Sequence, residues 1–251
     1  MSKTKPQSKP GAWYQVVKAL LRPPLQLLTK RDWRGGENLQ RPGGAILAMN
    51  HLSWFDPFAA AHFCNDQGRP VRFLAKAEIF KIPVIGKILK SAGQIPVHRG
   101  SVDAASSLHS AIAAVNQGEC IIIYPEGTLT RDPNLWPMTA KNGVARIALA
   151  TRAPVIPAAQ WGPEKVLAPQ GGKLPKFFPR KTMRILAGPP VDLSDLLDQP
   201  VTAENLKLAT ERIMAAITEL LSELRNEPPP TTVFDRRVAL NKKPSDEKGE
   251  A

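Results

Sequence analysis

A chain of 251 residues with 43% apolar side chains is long enough to bury a full core as one domain, and its 25 prolines gather in turns and tails without making the whole chain disordered. Its formal charge of +12 calls for an anionic partner, whether nucleic acid, a membrane surface or a phosphorylated substrate. The two cysteines, Cys64 and Cys120, stand far apart inside apolar segments, which excludes a disulfide framework or a zinc knuckle and fits a reducing cytosol.

Met1 to Gly11 is polar and rich in Lys and Pro, and is expected to be disordered. Residues 12–34 read as an amphipathic segment broken at Pro23-Pro24, in which Trp13, Tyr14, Leu20, Leu21 and Leu28 are interleaved with Lys18, Arg22 and Lys30. This pattern suits a helix lying in a membrane interface and equally one packed on the protein's own core. No run approaches the roughly 18 apolar residues of a spanning helix, and no signal-peptide pattern occurs, so the expected membrane contact is peripheral.

Arg34 to Gly44 is a glycine-rich turn region, and Ala45 to Met49 an apolar strand. It ends at Asn50-His51-Leu52-Ser53-Trp54-Phe55-Asp56-Pro57, where two groups suited to proton transfer stand together. A neutral imidazole takes a proton near neutral pH, and a carboxylate on its other nitrogen fixes tautomer and orientation. His51 is the candidate base and Asp56 its orienter. Five steps along a regular helix would leave the two side chains roughly 140° apart, so pairing requires a turn first and a helix opening at Asp56-Pro57. The competing role for Asp56 is a plain N-cap.

Pro57 to Cys64 reads as a helix and Val71 to Ala75 as the next strand. From Lys76 to Lys90 aliphatic residues are threaded with lysines, a stretch able to pack, touch lipid or line a substrate path. Ile95 to Val97 is a short strand leading to His98-Arg99-Gly100, and Asp103 begins a helix with Ala105, Leu108, Ile112 and Val115 on one face. Cys120 to Tyr124 is a continuous apolar strand, delivering the loop Pro125-Glu126-Gly127-Thr128-Leu129-Thr130-Arg131-Asp132. Open α/β sheets place ligands at such strand ends. There Glu126 suits a hydroxyl, Arg131 a phosphate, and the Gly127 and Thr128 amides an oxyanion.

Asn142 to Ala150 is helical, Pro154 to Ala159 a buried strand, Trp161 to Lys181 a long loop and Thr182 to Ala187 a last strand. A final helix from Thr202 carries Leu206, Ala209, Ile213, Ile217, Leu220 and Leu224 on one face. Residues 227–251 read as a disordered charged tail. The expected fold is therefore α/β, a mixed and largely parallel sheet flanked by helices over residues 35–226, preceded by the amphipathic membrane-surface segment.

Taken in order, His51-x4-Asp56, the basic stretch ending near Arg99, the Pro125-Glu126-Gly127-Thr128 loop and the strand Val155-Ile156-Pro157 resemble the glycerolipid acyltransferase family, in its bacterial 1-acylglycerol-3-phosphate acyltransferase branch. The resemblance spans roughly residues 35 to 220, and the first and third motifs carry its specificity. It implies that His51 and Asp56 activate an acceptor hydroxyl for direct attack on an acyl thioester, carried by acyl-CoA or acyl carrier protein as a substrate and not a cofactor. It implies that Glu126, Gly127 and Thr128 belong to the acceptor site, and that Arg99, helped by Lys76, meets phosphate. The family commonly has Arg directly after Glu-Gly-Thr; here Leu129 stands there and Arg131 follows two places later.

The implied reaction gives phosphatidic acid from a lysophospholipid acceptor at the cytoplasmic face of an anionic membrane, with glycerol 3-phosphate or another lysolipid as alternative acceptors. It needs no metal and no serine nucleophile. The motifs of serine hydrolases, zinc proteases, P-loop and dinucleotide-binding proteins are absent. A nucleic-acid partner is disfavoured, because the basic residues come with aliphatic runs and without aromatic stacking platforms. A catalytically silent lipid-binding protein of the same fold is the remaining rival.

Overall fold

The computed structural model describes residues 12–97, 104–169 and 174–235. The expected site residue Arg99, the start of the helix at Asp103 and the expected N-terminal tail lie outside them. Strands alternate with helices: α1 (Ala12–Leu28), β1 (Thr29–Arg34), β2 (Ala45–Met49), α2 (Asp56–Asp66), β3 (Val71–Lys76), α3 (Ile85–Ser91), β4 (Ile95–Val97), α4 (Ala104–Asn116), β5 (Cys120–Ile123), α5 (Gly143–Thr151), β6 (Val155–Trp161), α6 (Pro163–Val166), β7 (Lys181–Ala187) and α7 (Ala203–Arg225). Among the described residues the strands form one seven-stranded sheet in the order β1-β7-β6-β2-β5-β3-β4. All neighbours are parallel except β6 and β7, so the sheet is mixed and largely parallel, as expected.

The central strands are apolar throughout because helices cover both faces. Alternation divides them: Ile46, Ala48, Ile121 and Ile123 pack with α4, α5 and α7 on one face, while Ala45, Leu47, Met49, Cys120 and Ile122 pack with α2 on the other. Thr202 caps α7, its hydroxyl accepting from the Asn205 amide at 3.2 Å, and Leu206, Ala209, Ile213, Ile217, Leu221 and Leu224 are buried along it.

Three boundaries differ from the sequence expectation. Pro23-Pro24 does not break α1, which runs through both. The carbonyls their missing N–H groups leave unpaired are those of Ala19 and Leu20, both exposed residues open to water. At the helix end, Arg180 donates to the carbonyls of Gln26 and Thr29. Residues 29–34, expected in the amphipathic segment, are instead an edge strand paired with β7. Part of the expected C-terminal tail is placed against the domain, since the Thr139 amide donates to the Phe234 carbonyl at 3.0 Å.

The feature that builds the site is the pairing of β2 with β5. Their register sets Ala45 opposite Cys120 and Ala48 opposite Ile123, so the two chains leave the sheet side by side. His51 lies three residues beyond Ala48, and Glu126 three beyond Ile123.

Candidate active site

The loop after β2 turns back on itself and α2 opens at Asp56, with Pro57 in its first turn. His51 Nδ1 lies 2.8 Å from Asp56 Oδ2. The same oxygen accepts the amides of Leu52 at 2.7 Å and Ser53 at 2.8 Å. Asp56 thus reaches back into the preceding turn instead of capping its own helix. Because a carboxylate only accepts, Nδ1 carries the proton and Nε2 keeps its lone pair. Asp56 is fully buried. Burial raises its carboxyl above the ordinary value, and the hydrogen bonds from His51, Ser53 and Leu52 pull in the opposite direction.

Tyr124 stacks on the imidazole, with ring centroids 4.1 Å apart and planes at 14°, and burial drives its hydroxyl well above the usual phenol range. Asn50, one residue before His51, makes a reciprocal pair with Gln160 on β6: its Oδ1 accepts the Gln160 amide at 2.8 Å, and its carbonyl accepts from Gln160 Nε2 at 2.8 Å. The end of β2 is therefore tied to β6 before the chain reaches His51.

Glu126 lies where the sequence does not foresee it. Its carboxylate is buried beneath the site, accepting the His51 amide at 2.9 Å and the Met138 amide at 3.1 Å. The His51 carbonyl in turn accepts the Thr130 amide at 2.7 Å. Both backbone polar groups of His51 are thus held by the second loop. This places Glu126 as a support for the His51 backbone: each oxygen accepts an amide, and the side chain does not line the cavity that His51 lines. Burial raises its pKa from 4.5 to about 8.

The remaining predicted residues divide in the same way. Gly127 and Thr128 line the cavity with His51, but the Gly127 amide is used within its turn, donating to Tyr124 at 2.9 Å, so it is not an oxyanion donor. Gly127 has φ of 70°, a left-handed conformation that favours glycine. Arg131 is exposed and does not line the cavity, whereas Leu129, in the place of the family's arginine, is buried on its wall. Lys76 lines the cavity and lies 3.7 Å from Glu78. Among the described residues no group of three His, Cys, Asp or Glu side chains is arranged to hold a metal.

The cavity measures about 1070 Å³ and opens on His51. One face of α2 runs along it through Phe58, Ala61, His62 and Asn65, and α1 and α3 complete the wall with Leu21, Leu25, Ile88 and Leu89. The Tyr14 hydroxyl donates to Asn65 at 3.0 Å, and Arg22 and Arg31 both pair with Asp66 at 3.0 Å, clasping α1 and the start of β1 to α2. Gln160, Asn50 and Tyr124 were missed as site residues. Only their strand-end positions hint at them, and nothing local marks their contacts.

A model of the Acyltransferase family matches residues 30–161. The 1-acyl-sn-glycerol-3-phosphate acyltransferase of Bacillus subtilis is 30% identical over 188 residues, covering 75% of this chain and 86% of that one. The enzyme of the same name from Borreliella burgdorferi is 31% identical over 124 residues, covering 49% of this chain and 48% of its own. The crystal structure of the 1-acyl-sn-glycerophosphate acyltransferase PlsC from Thermotoga maritima superposes with a TM-score of 0.67 over 86% of this chain and 81% of that one, at 21% identity, a likeness of fold.

Proposed function

Because this chain belongs to the acyltransferase family, we propose that it moves a fatty acyl group from an acyl-CoA or acyl carrier protein thioester to the free hydroxyl of 1-acylglycerol 3-phosphate, giving phosphatidic acid. The observation that carries this reading is the His51–Asp56 pair, 2.8 Å apart, with His51 on the wall of a mainly apolar cavity.

The chemistry follows from the geometry. His51 Nε2 takes the acceptor hydroxyl proton as the oxygen attacks the thioester carbonyl, and Asp56 stabilises the resulting imidazolium. The carbon–sulfur bond then breaks and the same nitrogen returns the proton to the leaving thiolate. No covalent enzyme intermediate is required. Ser53, the nearest hydroxyl in sequence, is fully buried, and its Oγ is turned to the carbonyls of Pro163 and Leu167 at 3.2 and 2.6 Å. The cavity volume, about 1070 Å³, lies just above the usual range of ligand pockets, about 300–1,000 Å³, which suits a long acyl chain.

The bilayer contact belongs to the same proposal. Among the described residues no helix is long and apolar enough to cross a membrane. One face of α1 lines the cavity while Val16, Leu20 and Leu27 point outward, Leu20 and Leu27 each 72% exposed. Between β3 and α3, Ile82 and Val84 are exposed and flanked by Lys81 and Lys87. Val84 holds φ 67° and ψ −58° with the Ile85 amide donating to the Pro83 carbonyl at 2.8 Å, a strained γ-turn that keeps the aliphatic tip presented. Lipid at the anionic cytoplasmic leaflet fits this combination of aliphatic tips and lysines. The double substitution Leu20→Asp and Val84→Asp is expected to weaken co-sedimentation with phosphatidylglycerol vesicles by about 10-fold or more, with transfer on detergent-dispersed acceptor retained. Unchanged sedimentation would remove these two tips from the membrane surface.

The test of the activity is transfer from palmitoyl-CoA, oleoyl-CoA and acyl carrier protein to lysophosphatidate, glycerol 3-phosphate and a panel of lysolipids on vesicles. Lysophosphatidate is expected to be acylated fastest. Transfer to none of these acceptors from either donor class would overturn the reading in favour of a catalytically silent lipid-binding protein.

A further inference from the structure

We propose that Lys141 and Arg146 form the phosphate-binding pair of this site, in place of an arginine in the Glu126-Gly127-Thr128 motif. The proposal rests on the acyl-transfer reading and names the cations that hold the acceptor.

The acceptor's phosphate monoester carries a charge of about −1.5 to −2 near neutral pH. It must sit near His51, close to the buried carboxyls of Asp56 and Glu126, so it needs cations of its own. The motif does not provide them. Leu129 fills the arginine's place on the cavity wall, and Arg131 is exposed away from it.

The described cations that do line the cavity are Lys18, Arg22, Lys76, Lys141 and Arg146. Arg22 is bound to Asp66 at 3.0 Å, and Lys76 lies 3.7 Å from Glu78. Lys18 is carried by α1. Lys141 is different, because its own backbone is bonded into the motif loop: its amide donates to the Pro125 carbonyl at 2.9 Å. Its side chain lies along Gly127, with Cδ and Cε 3.4 Å and Nζ 3.7 Å from the point a Cβ would occupy there. The Lys141 side chain is thereby held at van der Waals distance from Gly127, on the cavity wall that both residues line.

Arg146 follows on the same wall, one turn into α5. Neither side chain makes a hydrogen bond or ion pair with another described residue. Gly143, between them in sequence, also lines the cavity, and a Cβ there would meet open space, so no side chain at that position crowds an anion. Two cations that line one cavity with His51, and that are unpaired among the described residues, suit a phosphate monoester.

The acyl-CoA donor carries phosphates too, and kinetics separate the two sources. Full-length wild type, Lys141→Gln, Arg146→Gln and the double variant are compared in mixed micelles. At saturating donor, each single substitution is expected to raise the KM for lysophosphatidate by about 10- to 100-fold, with kcat changed far less and the donor KM unmoved. Arg146→Lys should recover part of the loss, since it restores a charge without the bidentate fork.

An unchanged acceptor KM in the double variant overturns the proposal, and so does a shift confined to the donor KM. Calorimetric binding of a short-chain lysophosphatidate is measured alongside, so that the pair is judged separately from the reaction. Wild-type binding lost in the double variant supports the pair, even if the transfer reading fails. Binding equal in both proteins, or absent from wild type, overturns it.

Discussion

Replacing His51 by Ala is expected to lower kcat for acyl transfer by about 10²- to 10⁴-fold, the usual contribution of a positioned general base, while vesicle binding and donor affinity change little. The geometry sets this separation. The imidazole touches the reaction through Nε2 alone, its other nitrogen being committed to Asp56 at 2.8 Å. Asp56→Asn keeps an acceptor oxygen available for His51 and for the Leu52 and Ser53 amides, but removes the negative charge that stabilises the imidazolium. Its kcat should fall about 10²-fold or more with the fold intact. Asp56→Ala should in addition unfold more readily, since two amides and the imidazole N–H lose their shared acceptor, at about 1–3 kcal/mol for each group left buried and unpaired. Transfer rates for His51→Ala within a few-fold of wild type would remove His51 as the base.

Glu126 supplies the second large effect, and its signature is a pH dependence of stability. In the unfolded chain this carboxyl loses its proton near its ordinary value of 4.5, whereas in the fold burial holds the proton until about pH 8. Between these limits the folded state binds the extra proton, so stability falls as pH rises through the window, by up to about 1.4 kcal/mol per pH unit. Below about pH 4.5 both states are protonated and the slope vanishes. Glu126→Gln removes the titration, so its unfolding free energy should vary less steeply than that of wild type between pH 5 and 8, measured by urea denaturation.

Glutamine has a single carbonyl oxygen for two amides, those of His51 and Met138. Glu126→Gln should therefore lose activity through misplacement of the base, with kcat falling more than the KM of either substrate rises. Glu126→Leu abandons both amides and should cost about 1–3 kcal/mol for each. A pH slope identical in wild type and Glu126→Gln would show that this carboxyl is ionised throughout the range.

Much of the architecture was legible in the chain because it is written in local periodicity. The apolar runs at Ala45 to Met49 and Cys120 to Tyr124, the helical spacing from Leu206 to Leu224 and the Asp56-Pro57 helix start each depend on neighbours a few residues away. The His51–Asp56 pair was legible for the same reason: five residues separate them, and only a turn running into a helix start brings them together. Pro23-Pro24 was misread because its cost is lower where the carbonyls it frees face solvent, a property of the helix's surroundings and not of its sequence.

What the sequence by itself determined is the strands from β2 to β7 and the helices α2, α4, α5 and α7, the two strand-end loops, and the local geometry that pairs His51 with Asp56, but not β1, α3 or α6. Only the tertiary structure decided what each loop residue does. The in-register pairing of β2 with β5 carries Glu126 under the His51 backbone across 75 positions, turning an expected ligand into a support. The packing of α1 and α3 beside α2 creates the cavity, and the return of the chain to the Pro125 carbonyl lays Lys141 along Gly127. Side-chain type and spacing specify interactions within a turn or two, whereas contacts between distant segments follow from strand register and helix packing, which no single stretch encodes.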